Sequence, residues 1–202
     1  MMKKEKLIEY AKECFENHKV KFTQISDDTQ EIEWGNPKSS AYYIRYLLNG
    51  NRVFVCGDVG DAVYSLTERA DIKRIAEEYD LHYFTGKITA TEHGKYSFDS
   101  STAAERLAYE KKCDKEDSDT GKLDEEVMDA YRTLFDLARE CNSLEEWHYG
   151  LREHEEKAML IDCDWWEWMP NAGNELRQSI VMYWVGLKMA AKQLGYESKY
   201  LA

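Results

Sequence analysis

Apolar positions near the start of the chain follow two different spacings. Leu7, Ala11 and Phe15 lie about one helical turn apart among charged residues, which predicts an amphipathic helix over residues 3–17. After Val20 the period falls towards two, as in a strand with one face buried. The chain is therefore predicted to begin with a helix and to continue into a sheet.

The clearest strand signal is a pair of apolar runs around an Asn-Gly dipeptide. Residues 41–48 and 52–56 are dense in aromatic and β-branched side chains, and Asn49 and Gly50 lie between them. Because both turn residues tolerate positive φ, this arrangement predicts a β-hairpin. Shorter runs before and after it extend the prediction to a small antiparallel sheet of about three to five strands.

Helical spacing dominates the rest of the chain. Apolar stripes of period 3.6 predict helices over residues 123–138 and 174–194, and Ser143 with Glu146 forms a capping box at the start of another. Residues 113–122 are charged and lack large apolar side chains, which predicts a loop or a domain junction.

The predicted fold class is α+β. Residues 1–113 form an N-terminal helix and a small antiparallel sheet with the hairpin, and residues 114–202 form an acidic, mainly helical region. The two regions are either separate domains or parts of one continuous domain.

The composition predicts a cytoplasmic protein. The five cysteines are scattered without a Cys-x-x-Cys pair, which is typical of reduced thiols. No apolar run approaches the roughly 20 residues that cross a bilayer, and the charged start is not a signal peptide.

Acidity is the strongest compositional feature. The chain has 39 acidic and 27 basic residues, a net charge of −12, and residues 111–170 alone carry 18 acidic and 8 basic residues. Nucleic-acid phosphates repel such a surface, whereas basic protein surfaces attract it. The predicted partner-binding residues are fourteen of the acidic ones of this stretch: Asp114, Glu116, Asp117, Asp119, Asp124, Glu125, Glu126, Glu145, Glu153, Glu155, Glu156, Asp162, Asp164 and Glu167.

No constellation in the sequence identifies a catalytic site, and we predict no catalytic residue, metal or cofactor. Asp58 and Asp61 lie in a glycine turn after a strand, and Asp162, Asp164 and Glu167 lie beside three tryptophans. Either group would suit a metal-dependent hydrolase or a nucleotide-processing enzyme, and this alternative stays open.

One stretch of the hairpin approaches the composition of a nucleic-acid-binding surface. Tyr43, Arg45, Tyr46, Arg52 and Phe54 combine aromatic and basic side chains. Because the chain as a whole is acidic, direct nucleic-acid binding is not expected.

Several runs resemble small, uncharacterised phage and prophage proteins of Gram-positive bacteria. They are residues 43–51, 53–64, 83–87 and 185–190 with Gln193 and Leu194, and together they cover less than half of the chain. The resemblance carries no catalytic residues. It implies a phage genome, in which small acidic proteins are often inhibitors of host defence, including anti-CRISPR proteins.

The leading functional hypothesis is therefore a phage-encoded accessory protein that inhibits a bacterial defence system by protein binding. Its acidic surface would meet a basic surface of a host defence protein, such as a CRISPR effector, without a membrane. A self-associating phage structural or replication protein is a further alternative.

Overall fold

The computed structural model describes residues 4–118 and 120–201, which form two compact units. The sheet unit comprises the residues up to Lys95 together with those from Arg177 onward, and the helical unit comprises Tyr96–Leu176. In chain order the elements are α1 (Lys4–Cys14), β1 (Lys19–Ser26), β2 (Thr29–Asn36), β3 (Ser39–Asn49), β4 (Arg52–Gly57), β5 (Ala62–Ser65), α2 (Ile72–Glu78), α3 (Leu81–Gly86), β6 (Ile88–Thr91), β7 (Tyr96–Phe98), α4 (Ser100–Asp117), α5 (Glu125–Glu140), α6 (Leu144–Glu153), α7 (Glu155–Ile161), two 3-10 turns (Trp165–Glu167 and Met169–Asn171), β8 (Asn174–Leu176) and α8 (Gln178–Gln193).

The predicted α+β class and the hairpin are confirmed. The sheet unit contains a six-stranded antiparallel sheet in the order β1 to β6, so each strand pairs with its neighbour in sequence. Asn49 pairs with Arg52 across the hairpin, so the two loop residues are Gly50 and Asn51, one position later than predicted. Gly50 has a φ of 56°, the positive value that the first loop residue of a type II′ turn requires. The sheet exceeds the three to five predicted strands because β6 is a short edge strand with weak apolar character.

One face of the sheet buries alternate side chains against helices. Trp34 pairs with Ile44 and Ile32 with Tyr46 in the register, and all four are fully buried. Residues 180–188 of α8 are buried as well, because this helix is apolar on nearly every side. The closest approach is at Gly186, where a Cβ would collide with the Tyr46 hydroxyl.

The helical unit has its own core. Its centre is Trp147, which packs against Phe98 with ring centroids 5.6 Å apart and donates its Nε1 hydrogen to the Met169 carbonyl oxygen at 2.8 Å. The predicted capping box is present: Ser143 Oγ accepts from the Glu146 N–H, although the Glu146 carboxylate reaches back to the N–H of Asn142 instead of Ser143.

The chain divides differently from the two predicted regions. The expected junction at residues 113–122 lies partly inside α4, which continues to Asp117. Ion pairs one turn apart, Arg106–Glu110 and Lys112–Glu116, extend this helix without an apolar stripe. In addition, α8 belongs to the sheet unit, since a helix that is buried on nearly every side needs the larger core.

Lys188 on α8 is a fully buried lysine. Its ammonium donates to the Ala76 carbonyl oxygen at 2.5 Å, in the last turn of α2, and lies 5.3 Å and 5.2 Å from the ring centroids of Trp184 and Tyr200. The carbonyl end of α2 favours this positive charge. Burial nevertheless lowers the Lys188 pKa from 10.5 to about 8, and the carboxylate of Asp80 opposes the shift.

The lowered pKa of Lys188 predicts that the stability of the protein rises with pH. Between about pH 8 and the ordinary lysine pKa of 10.5, the unfolded chain binds more protons at this position than the folded chain. The free energy of unfolding should therefore increase as the pH rises from about 7.5 to about 9.5, which is below the ordinary tyrosine pKa of about 10. Denaturant titrations at several pH values measure this slope. Lys188→Met should reduce it; an equal slope in both proteins would contradict the assignment.

Candidate functional site

Nearly all of the net charge lies in the helical unit. Residues 96–176 contain 22 acidic and 9 basic residues, a net charge of −13, whereas the rest of the chain contains 17 acidic and 18 basic residues, a net charge of +1. The sequence analysis placed the acidity in residues 111–170; the structure assigns it to one folded unit with its own core.

Two contacts bring nine of the fourteen predicted binding residues towards one end of this unit. The Tyr131 hydroxyl donates to Asp114 at 2.5 Å, which joins the end of α4 to α5. Lys157 pairs with Asp129 at 2.5 Å, which joins the first turn of α7 to the second turn of α5. The acidic residues near these contacts are Asp114, Glu116, Asp117, Asp124, Glu125, Glu126, Glu153, Glu155 and Glu156.

The other five predicted residues are placed differently. Glu145 is in the first turn of α6, and Asp162, Asp164 and Glu167 follow the end of α7. Asp119 lies outside the described residues. The acidic residues therefore do not form one continuous row.

Helix geometry separates these acidic residues into two classes. Glu125 and Glu126, and likewise Glu155 and Glu156, lie in the first turns of their helices, where the helix dipole favours negative charge. The helix dipole therefore stabilises these four carboxylates, and this local effect explains their positions. Asp114, Glu116 and Asp117 lie instead in the last turn of α4, where the dipole disfavours a carboxylate. Backbone electrostatics does not explain this second class.

The three tryptophans after α7 have different environments. Trp165 is buried, and Trp168 is half-buried with its Nε1 hydrogen donated to Asp162 at 2.8 Å. Trp166 is 55% exposed. Met159 and Leu160, on the preceding helix α7, are 53% and 44% exposed. Sequence reasoning missed Met159 and Leu160, because the exposure of apolar residues on a two-turn helix depends on tertiary packing.

The acidic turn at residues 162–164 is the one group of described residues whose side chains converge as metal ligands could. One ligand atom from each of Asp162, Cys163 and Asp164 lies within 4.8 Å of the others. However, Asp162 accepts from the backbone N–H of Asp164 at 2.8 Å as well as from Trp168. Its oxygens thus hold the turn together, and this geometry has a structural explanation.

Asp58 also has a structural role. Its Oδ2 accepts from the N–H of Tyr42 at 2.7 Å, and its own N–H donates to the Tyr43 carbonyl oxygen at 2.9 Å. Tyr42 has a φ of 59°, a left-handed conformation that is unfavourable for a bulky residue. Asp58 therefore stabilises a strained turn, while Asp61 is exposed on the same loop.

Four of the five aromatic and basic residues noted on the hairpin share the solvent face of the sheet: Tyr43, Arg45, Arg52 and Phe54. Tyr46 instead points into the core and donates to the Tyr183 carbonyl oxygen at 3.0 Å. On the solvent face Arg45 pairs with Glu31, and Lys21 pairs with Glu33 at 2.5 Å. These pairs neutralise Arg45 and Lys21, two of the cations that a phosphate would meet there.

No protein-family model, curated protein or solved structure matches this chain. Among residues 4–118 and 120–201, no helix has both the length and the apolar character needed to cross a membrane.

The role of Asp58 gives a test of the metal alternative. Asp58→Ala should lower the free energy of unfolding by about 1 to 2 kcal/mol, because it removes a charge-assisted hydrogen bond from a strained turn. Denaturant unfolding in EDTA and in excess Mg²⁺ should give the same loss, and Asp61→Ala should be nearly neutral. A stabilisation by Mg²⁺ that disappears in Asp58→Ala would instead support a cation site.

Proposed function

We propose that this protein is a phage-encoded accessory protein that acts in the host cytoplasm by binding another protein. Its target is a bacterial defence protein with a basic surface, such as a CRISPR effector, and its effect is inhibition. The observation that carries this proposal is the segregation of charge, −13 in the helical unit against +1 in the rest of the chain. The resemblance to phage and prophage proteins supplies the biological setting.

Segregated charge fits recognition better than solubility. A uniformly charged surface would keep a protein soluble, and nothing in that task requires a neutral unit beside a highly acidic one. A concentrated field steers a basic partner and raises the rate of encounter. Defence proteins that hold nucleic acid do so with lysine and arginine grooves, and an acidic unit lodged there would exclude the phosphate backbone.

The end of α4 provides the most specific support. Asp114, Glu116 and Asp117 lie against the helix dipole, within a unit that is already strongly negative. Only Asp114 has a described hydrogen-bond partner within the core, Tyr131, whereas Glu116 pairs with Lys112 at 3.6 Å on the surface and Asp117 is exposed. Their placement opposes folding stability, which is expected of residues retained for a partner.

The two alternatives have less support. The carboxylates that could hold a metal, Asp58 and Asp162, are engaged in backbone and indole hydrogen bonds. Self-association through the helical unit would bring two charges of −13 together, which electrostatic repulsion disfavours.

Charge reversal at the end of α4 separates function from stability. Glu116→Lys with Asp117→Lys should keep or raise the thermal midpoint, because cations suit a helix C-terminus. The same variant should lose about tenfold or more of its protection in plaque assays on hosts that carry defined defence systems, and of partner capture in pull-downs with their components.

The matched control is Glu13→Lys with Glu16→Lys, which makes the same change in charge at exposed positions around the end of α1 in the sheet unit. It should retain full activity. If the α4 variant is as active as the wild type, the electrostatic mechanism is wrong. If the wild-type protein protects phage in no system and captures no partner, the proposed function itself is wrong.

A further inference from the structure

The short helix α7 exposes apolar side chains where an ordinary surface helix would be polar. Met159 is 53% exposed and Leu160 is 44% exposed, and Trp166, five residues beyond the end of the helix, is 55% exposed. Three large apolar groups within eight residues are a concentrated exposure in a unit whose other large apolar residues are mostly buried. Exposed apolar patches rimmed by polar residues are typical of interaction surfaces.

Carboxylates surround these apolar groups. With about 100° per residue, Glu155, Glu156, Met159 and Leu160 fall within one arc of about 140°, and the buried Ala158 lies outside it. Glu155 is one turn from Met159, and Glu156 is one turn from Leu160, so each apolar side chain has an acidic neighbour. Lys157 points elsewhere, since it pairs with Asp129 on α5.

Trp166 has the same kind of surroundings. Asp164 and Glu167, which are both exposed, lie two residues before it and one residue after it. The indole is not held in the core, unlike Trp165, and it offers a large rigid surface at a low cost in conformational entropy. Tryptophan is the residue type most enriched among energetically dominant interface residues.

We propose that Met159, Leu160 and Trp166 form the apolar centre of a docking surface whose rim is Glu155, Glu156, Asp164 and Glu167, and that its occupant is a basic amphipathic helix of the partner protein. This inference deepens the proposed function and rests on it. On such a helix, each lysine or arginine lies one turn from an apolar residue. This is the same spacing that separates Glu155 from Met159 and Glu156 from Leu160. Charge complementarity selects this occupant over an acidic or neutral helix.

The solvent exposure of the carboxylates and of the apolar side chains indicates how much each group contributes to the binding energy. Exposed carboxylates contribute little each in water, so the rim mainly provides orientation and encounter rate. Burial of the three apolar side chains provides the lasting affinity. Removal of the indole should therefore weaken binding by a larger factor than removal of any one carboxylate.

Two synthetic peptides test the surface on the full-length protein. One places leucine on one face of a helix and lysine on the other, and the second has the same lysines with every leucine replaced by alanine. Calorimetric titration should show the leucine peptide binding about tenfold or more tightly than the alanine peptide. Trp166→Ala should reduce the leucine peptide's affinity to about that of the alanine peptide, and Trp166→Phe should restore part of it.

The matched control is Tyr149→Ala, which removes an aromatic side chain that is 65% exposed on α6 and is not one of the proposed surface residues. It should leave both affinities unchanged. Thermal unfolding of all variants should match the wild type, because an exposed indole contributes little to the core.

The possible results separate the two proposals. Equal binding of both peptides, with no effect of Trp166→Ala, would overturn the apolar docking surface while leaving the acidic mechanism in place. Failure of the leucine peptide to bind would overturn it as well, even if reversal of Glu116 and Asp117 abolishes protection. If the leucine peptide fails to bind and the wild-type protein also protects phage in no system and captures no partner, both proposals are wrong.

Discussion

The burial of α8 beneath the six-stranded sheet is the interaction on which the rest of the structure depends. Residues 180–188 are all buried, and Trp184 and Lys188 attach the helix to backbone carbonyl oxygens at Tyr79 and Ala76. Since α8 follows the helical unit in sequence, the chain must leave the sheet unit after Lys95 and return at Arg177. The helical unit is thus an insertion within the sheet unit, and its ends are paired by β7 and β8, with Tyr96 opposite Leu176.

This insertion allows charge to be separated. The sheet unit combines a large apolar core with nearly balanced charge, so its stability does not depend on ionic strength to a great extent. The helical unit concentrates 22 acidic residues, whose mutual repulsion opposes its folding. First-turn carboxylates and pairs such as Lys157–Asp129 offset part of that repulsion. At the end of α4, Asp117 has no described ion pair, and Glu116 has an exposed one with Lys112.

Local patterns predicted the parts of the fold that depend on local chemistry. The Asn49-Gly50 hairpin and the Ser143 cap are examples, because turn conformation and free N–H groups act within a few residues. The unit to which α8 belongs was not predictable, because an apolar helix packs equally well against helices or a sheet. The extension of α4 to Asp117 was missed because exposed ion pairs, not an apolar stripe, continue it. For the candidate site, the sequence indicated the acidic residues, but not the exposure of Met159 and Leu160, which only tertiary packing determines.

Two of the carboxylates that suggested chemistry are engaged in maintaining the fold. Asp58 supports the Tyr42 backbone, and Asp162 holds its own turn. A catalytic acid, base or ligand must exchange protons or partners during turnover, and each of these groups would leave a backbone group unpaired if it did so. The exposed carboxylates and the indole of Trp166 are not needed in this way to pair a backbone group. These exposed groups carry the proposed recognition, in which negative charge attracts the partner and apolar contact retains it.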